Sequence, residues 1–366
     1  MSCICQACAR RAWLLGKLSG RLDRTIEHRD QSCFWNLLEL GDLDLIDALG
    51  RGRRSELHAA YAEWRPAPGP RTGRPSALCR HHVAYPRCLR EDALGPHSLD
   101  LRGGVERLRG LLGEEVVAIV GTHAASDYGM EVARDLARGL AASGVTVASD
   151  LAEGIPRAVL AGALEADSAP LVVMSGGVER CKPAWCAPLY RRVLDDGCAI
   201  GESGASSRRH RWWRYAGART LALLAQLVIV VEARDELWDL ACANVALSRA
   251  RHVAAVPGRV SSTASRGTNW LLMNGARLVR GPQDALDVLY GVGVCQTADN
   301  LLSPVDLQPR LANVLELVSA GQDTLAKLAA GGAHSDEVAV ALTELELCGL
   351  LSRGDGGRYL PSGASV

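Results

Sequence analysis

The chain has 366 residues, 48% hydrophobic and 22% charged, with 41 basic against 41 acidic side chains. That length predicts two or three units that each bury a core, while a balanced charge excludes a global pull on a polyanion and leaves only a local basic patch for any nucleic-acid contact. With no stretch near the ~20 apolar residues of a membrane span and no signal-peptide pattern, a cytoplasmic chain without a membrane partner is expected.

Residues 1–64 carry apolar side chains at helical spacing, first Trp13, Leu14, Leu18 and Leu22, then Leu37, Leu38, Leu43, Leu45 and Ile46. They predict a small N-terminal helical segment. In a reducing compartment the 12 cysteines read as free thiols or metal ligands rather than disulfides. Cys5 and Cys8 form a C-x2-C pair, and Cys79 and Cys88 flank His81 and His82, so Cys5, Cys8, Cys79 and Cys88 are candidate ligands for a structural zinc. Because a second C-x2-C is missing and the two clusters lie far apart in sequence, free thiols and no cofactor are the preferred reading. The run RPAPGPRTGRPS (residues 65–76) reads as a flexible linker, the start of a lead-in segment that extends to residue 113.

From residue 114 to 291, short β-branched runs alternate with amphipathic stretches. The expected strands are Val116–Val120, Val145–Ser149, Leu171–Met174, Cys198–Ile200, Leu227–Val231 and Val253–Val256. Helices are expected over Tyr128–Ala142, Pro156–Ala166, Ala187–Asp195 and Asp239–Ala250. Near-continuous apolar strands separated by helices predict an α/β fold, a Rossmann-like doubly wound and mostly parallel sheet. A linker at 292–305 leads to residues 306–362, where three helical stripes precede a Gly-Asp-Gly-Gly turn between apolar runs, the outline of a winged-helix-like domain. Its third helix holds Asp336, Glu337, Glu344 and Glu346 and neither lysine nor arginine. Such charge repels phosphate and favours a protein–protein role or simple packing over groove binding.

The first strand of the central domain runs into Gly121-Thr122-His123-Ala124-Ala125-Ser126, with Ser126 or Asp127 as N-cap of the next helix. A glycine turn facing a helix N-terminus suits an anion, but it is not GxGxxG and does not indicate a dinucleotide. The stretch VVAIVGTHAASDYGMEVARDLARGLAASGVTVASDLAEGI, then MSGGVERCKP, VVEA, VPG (Val256–Gly258) and SRGTNWLLMNGA (Ser265–Ala276) occur in the order found in the DNA-processing protein A (DprA/Smf) family, which this chain resembles over about Leu78 to Leu360. The resemblance implies single-stranded DNA (ssDNA) as partner, handover of that strand to the RecA recombinase in natural transformation, and a homodimer. It also implies an anion- or nucleotide-binding floor of Gly121, Thr122, His123, Ser149, Gly176 and Gly177, and DNA contacts from Arg219, Arg266 and Asn269. Where the family has arginines, this chain has His123, Glu153 and Ala218. The phosphate grip is therefore expected elsewhere.

The run SSRRHRWWRY (Ser206–Tyr215) interleaves Arg208, Arg209, Arg211 and Arg214 with Trp212, Trp213 and Tyr215. Guanidinium groups neutralise phosphates and indoles stack bases, which makes these arginines, Trp212 and Trp213 the expected ssDNA contacts. The competing reading packs the tryptophans in a core. Catalysis is not expected: Ser175-Gly176-Gly177 lacks the partners of a triad, and Glu202 and Glu232 at strand ends are a weak acid–base pair. An alternative reading is a nucleotide-binding or nucleotide-cleaving protein with His123, Glu153 and Glu202 lining a small-molecule pocket. A third is a degenerate relative that acts only through protein contacts.

Overall fold

The first helical stripe builds α1 (Gln6–His28), whose Leu14, Leu15, Leu18 and Leu22 are buried. It packs with α2 (Gln31–Glu39) and α3 (Asp42–Leu49), while α4 (Arg54–Glu63) packs on α3 with no fully buried residue of its own. The buried Arg11 joins these pieces: its guanidinium donates to the carbonyls of Leu38 and Leu40 and to Asp42 at 2.8 Å. The computed structural model describes residues 4–28, 31–66, 76–178, 184–202, 210–234, 238–297, 309–329, 335–347, 350–354 and 357–361.

The lead-in segment holds two strands that the sequence reading did not separate, β1 (Ser76–Cys79) and β2 (Ser98–Arg102), with α5 (Arg87–Glu91) between them and α6 (Val105–Leu111) after. Four- and five-residue strands are too short to show a period. The alternation then runs β3 (Val116–Val120), α7 (Asp127–Ala142), β4 (Thr146–Ser149), α8 (Ile155–Glu165), β5 (Leu171–Met174), α9 (Ala187–Asp196) and β6 (Cys198–Glu202). It continues through α10 (Trp212–Leu224), β7 (Leu227–Val230), α11 (Ala241–Ser248), β8 (His252–Ala255), α12 (Arg266–Met273), β9 (Arg277–Leu278) and α13 (Pro282–Tyr290). The sheet order is β1-β2-β6-β5-β4-β3-β7-β8-β9. Strands β3 to β9 pair in parallel, and β1 and β2 close one edge antiparallel.

The unbroken apolar runs follow from burial on both faces. Val116, Ala118 and Val120 point into the layer that contains α1, α10 and α11, whereas Val117 and Ile119 point into the layer of α7, α8 and α13. The expected doubly wound, mostly parallel sheet with an N-terminal helical segment is therefore present. The helical segment shares its core with α10 and the sheet, and residues 1–297 form one compact unit.

Residues 298–366 form the second unit, described by itself. Helices α14 (Pro309–Ser319), α15 (Leu325–Ala329) and α16 (Ser335–Leu347) precede the hairpin β10 (Leu351–Gly354) and β11 (Arg358–Pro361). Leu311, Leu315, Leu342, Leu345 and Tyr359 meet in its core. Its basic residues are paired with its acids, for example Arg310 with Glu344 at 2.7 Å and Lys327 with Asp323 at 2.6 Å.

Candidate nucleic-acid interface

The strand order reverses at β3, because the chain leaves it toward β4 on one side and later returns to β7 on the other. Open α/β sheets place ligands outside the carboxyl ends of the strands at such a point. A crevice lies there, lined by Gly121, His123, Asp150, Ser175, Arg214 and Trp238 among others. His123 Nε2 lies 3.4 Å from an Asp150 carboxylate oxygen, and its ring meets Trp238 edge-on at 4.8 Å between centroids. The Arg214 guanidinium sits 5.6 Å from the centre of the same indole, a cation–π contact.

The N-terminus of α7, which follows the same turn, is filled from within. Ser126 caps α7, its hydroxyl oxygen accepting from the Gly129 N–H at 3.1 Å. The Glu232 carboxylate accepts the Ser126 N–H at 2.9 Å and the Ser126 hydroxyl at 2.6 Å. This buried carboxylate thus occupies the helix N-terminus at which the sequence predicted a bound anion. Gly129 leaves it room, since a Cβ there would fall 2.4 Å from the carboxyl group. Thr122 is buried, donating its N–H to the Glu232 carbonyl at 2.7 Å, and the buried Ser149 hydroxyl donates to the Ile119 carbonyl at 2.7 Å. Gly121 is packed against the Glu232 carbonyl and Ile155. Of the expected anion floor, Gly121, Thr122 and Ser149 therefore serve the fold. His123 faces the crevice, and Gly176 and Gly177 form the turn at the end of β5.

The expected base-stacking tryptophans are corrected by the structure. Trp212, Trp213 and Tyr215 lie on α10 and are 0%, 3% and 6% exposed, so the competing core reading holds for all three. Tyr215 packs against Phe34 and Trp35 of α2, and Asp23 of α1 accepts the Trp212 N–H at 2.9 Å and contacts His210 Nδ1 at 2.8 Å. Arg219 is likewise buried, 2.5 Å from the buried Glu202 carboxylate, and reaches no solvent-borne phosphate. The same pairing removes Glu202 from any small-molecule pocket, and Glu153 pairs with Arg157 at 3.6 Å. Asn269 spends its side-chain amide on Gly258, accepting from its N–H at 3.3 Å and donating to its carbonyl at 3.1 Å. The SRGTN motif is thus largely a packing device that holds the VPG turn. Arg208 and Arg209 lie outside the described residues.

Arg211, Arg214 and Arg266 are exposed, as the sequence reading requires. Topology adds groups that it missed. Arg157 lies in the first turn of α8, Arg234 in the loop after β7, and Trp185 in the turn before α9. Each follows a parallel strand, as do Arg214 and Arg266 in the first turns of α10 and α12, so all sit along the carboxyl edge of the sheet. Arg157 stacks over the 39%-exposed Trp185 at 5.8 Å, a second Arg–Trp pair beside that of Arg214 and Trp238. Position just after a strand was the signal that could have found them.

Three of the four expected metal ligands come together. Cys5, Cys8 and Cys79 converge with His81, an exposed residue of the turn after β1, whereas Cys88, in α5, is not in this group. Burial, followed by hydrogen bonding and charge from the Cys5 and Cys79 thiols, pushes the Cys8 thiol far above its ordinary value.

Comparison with known proteins matches this architecture. The sequence model of the family described as DNA recombination-mediator protein A matches residues 76–290. Protein Smf of Escherichia coli K12 is 30% identical over 309 residues, covering 79% of this chain and 81% of that one. The crystal structure of DNA processing protein A from Streptococcus pneumoniae superposes with a TM-score of 0.58 at 24% identity, covering 78% of this chain and 98% of that one. DNA processing protein A from Helicobacter pylori, described for its mode of binding single-stranded DNA, gives a TM-score of 0.50 at 22% identity over 58% of this chain and 98% of its own. Both structural likenesses concern the fold. Among the described residues, no helix is long and apolar enough to cross a membrane.

Proposed function

The chain belongs to the DNA recombination-mediator protein A family, and from that premise we propose that it binds ssDNA along the carboxyl edge of its parallel sheet and hands it to a RecA recombinase during DNA uptake. The observation that carries the proposal is the set of exposed Arg157, Arg214, Arg234 and Arg266, which follow β4, β6, β7 and β8 at the carboxyl edge of the sheet, two of them stacked on Trp185 and Trp238. Guanidinium groups in a row follow a phosphate backbone, and partly exposed indoles offer π-faces to bases of any sequence. Arg211, with Arg208 and Arg209 before it in sequence, extends the set. The ssDNA-binding mode described for the Helicobacter pylori protein supports the same partner.

The role is proposed as non-catalytic and cytoplasmic. The two strand-end carboxylates, Glu202 and Glu232, are both committed to internal partners, which leaves neither poised as a general base. Glu232 at the α7 N-terminus also disfavours the nucleotide-ligand reading. A homodimer through the β9 end of the sheet is supported by the exposed Trp270, Met273 and Leu278. The acidic C-terminal unit, winged-helix-like in its order of elements, is proposed as a protein-contact unit.

The test is an ssDNA titration at several salt concentrations with Arg157, Arg214, Arg234 and Arg266 changed to alanine together. At roughly 0.7 per phosphate contact on a single strand, the slope of log K against log salt should fall by up to about 3. Unchanged affinity and slope would overturn the reading. Handover is tested separately by the rate of recombinase filament assembly on ssDNA with and without this chain.

A further inference from the structure

We propose that Cys5, Cys8, Cys79 and His81 bind one structural zinc ion that fastens the N-terminal helix to the edge of the sheet. The four ligand atoms lie within 4.8 Å of one another. Cys5 Sγ is 3.3 Å and Cys8 Sγ 3.5 Å from His81 Nδ1. A tetrahedral zinc with Zn–S near ~2.3 Å and Zn–N near ~2.0 Å sets its ligands about 3.5–3.8 Å apart, so the Cys5–His81 and Cys8–His81 separations already fit and the widest pair needs to close by at most about 1 Å. Three sulfurs and one imidazole nitrogen are a donor set of structural zinc sites, and four protein ligands leave no position open for substrate or water.

The local chain is shaped for this geometry on both sides. Cys5 and Cys8 bracket the start of α1, and the Cys8 N–H points at the Cys5 sulfur at 3.5 Å. Cys79 ends β1, and its carbonyl accepts the His82 N–H at 2.8 Å, which closes the turn that carries His81 back toward the cysteines. Cys8 and Cys79 are 1% and 3% exposed, so the cage faces the interior on two of its four corners. Hydrophobic packing alone gives no reason to gather three thiols and an imidazole at one point. A bound cation does.

The site joins the first turn of α1 to the end of β1 across a long stretch of sequence, and because the unfolded chain holds no such cage, the free energy of zinc binding adds directly to that of folding. The ion therefore belongs to the folding of the chain, and the inference stands independently of the ssDNA reading.

Full-length protein purified without chelator should contain one zinc per chain by elemental analysis, and Cys88→Ser should retain it. Cys8→Ser and His81→Ala should each lose it, while His81→Cys, which supplies a thiolate in place of the imidazole, should keep it. Should Cys8→Ser fail to fold, cobalt(II) uptake by the wild-type apoprotein decides the matter, since a thiolate-rich tetrahedral site gives intense visible absorption and sulfur-to-metal charge transfer. Absence of zinc with no cobalt uptake, zinc retained by His81→Ala, or a disulfide among the three cysteines would each overturn the proposal.

Discussion

The carboxylate of Glu232 accepts both the backbone N–H and the hydroxyl of Ser126, so a side chain from the end of β7 fills the N-terminus of the helix that follows β3. Removing a partner from a buried hydrogen-bonded group costs about 1–3 kcal/mol, and Glu232→Ala should lower unfolding stability by that amount. It should also open the α7 N-terminus, so that inorganic phosphate raises the melting temperature of the variant more than that of the wild type. An equal response of the two proteins to phosphate would show that the carboxylate does not occupy an anion site.

Trp212 and Trp238 separate packing from recognition. Trp212 is fully buried, and Trp212→Ala should destabilise by about 3–5 kcal/mol in urea denaturation. Trp238 lies half-buried between His123 and Arg214. Trp238→Ala should weaken ssDNA binding by about 1–3 kcal/mol with a smaller loss of stability. The reverse pattern would restore the α10 tryptophans as stacking residues.

The Arg219–Glu202 pair is 3% and 5% exposed at its side chains. Breaking a buried pair from one side strands a charge, and Arg219→Met should cost about 3–5 kcal/mol. The double variant Arg219→Met with Glu202→Leu should recover most of that loss. Because Arg219 faces inward, the double variant should keep the wild-type salt dependence of ssDNA binding; a shallower slope would place Arg219 on the DNA after all.

His97 makes stability fall in mild acid. Burial, and after it the nearby Arg11 and Arg80 charges, holds its imidazole down to about 4, from an ordinary value of 6.5. Its Nε2 lies 3.1 Å from the Arg80 guanidinium, which donates to the neutral ring. Between those two values the unfolded chain binds the proton and the folded chain does not, so stability is full above pH 6.5 and declines as pH drops toward 4. The shift corresponds to roughly 3 kcal/mol at about 1.4 kcal/mol per unit. Urea unfolding of His97→Gln across this range should show a correspondingly flatter profile.

The strands were legible because burial on both faces leaves an unbroken apolar run, as in Val116–Val120 and Leu171–Met174. The motif order was enough to name the family. The site was less legible, since its decisive contacts are distant in sequence. Nothing local to Ser126 announces Glu232, and nothing local to Trp212 announces Asp23. One local signal was available in SSRRHRWWRY: Arg211 and Arg214 stand three residues apart, the spacing of an exposed helical face, with Trp212 and Trp213 turned away from it. Alternation of charge and aromatic side chains resembles a stacking surface until the helix is seen. In the cysteine cluster, sequence order favoured Cys88, but the turn after β1 brings His81 to Cys5 and Cys8 instead.

Glu232 also makes the counter-charge at the α7 N-terminus an internal one. A helix N-terminus of this kind is otherwise open to a diffusible anion such as phosphate. Here the counter-charge is covalently part of the chain, so the turn from Gly121 to Ser126 is set as soon as β3 and β7 pair. No incoming anion is needed to supply acceptors at that helix N-terminus, because the Glu232 carboxylate already does so.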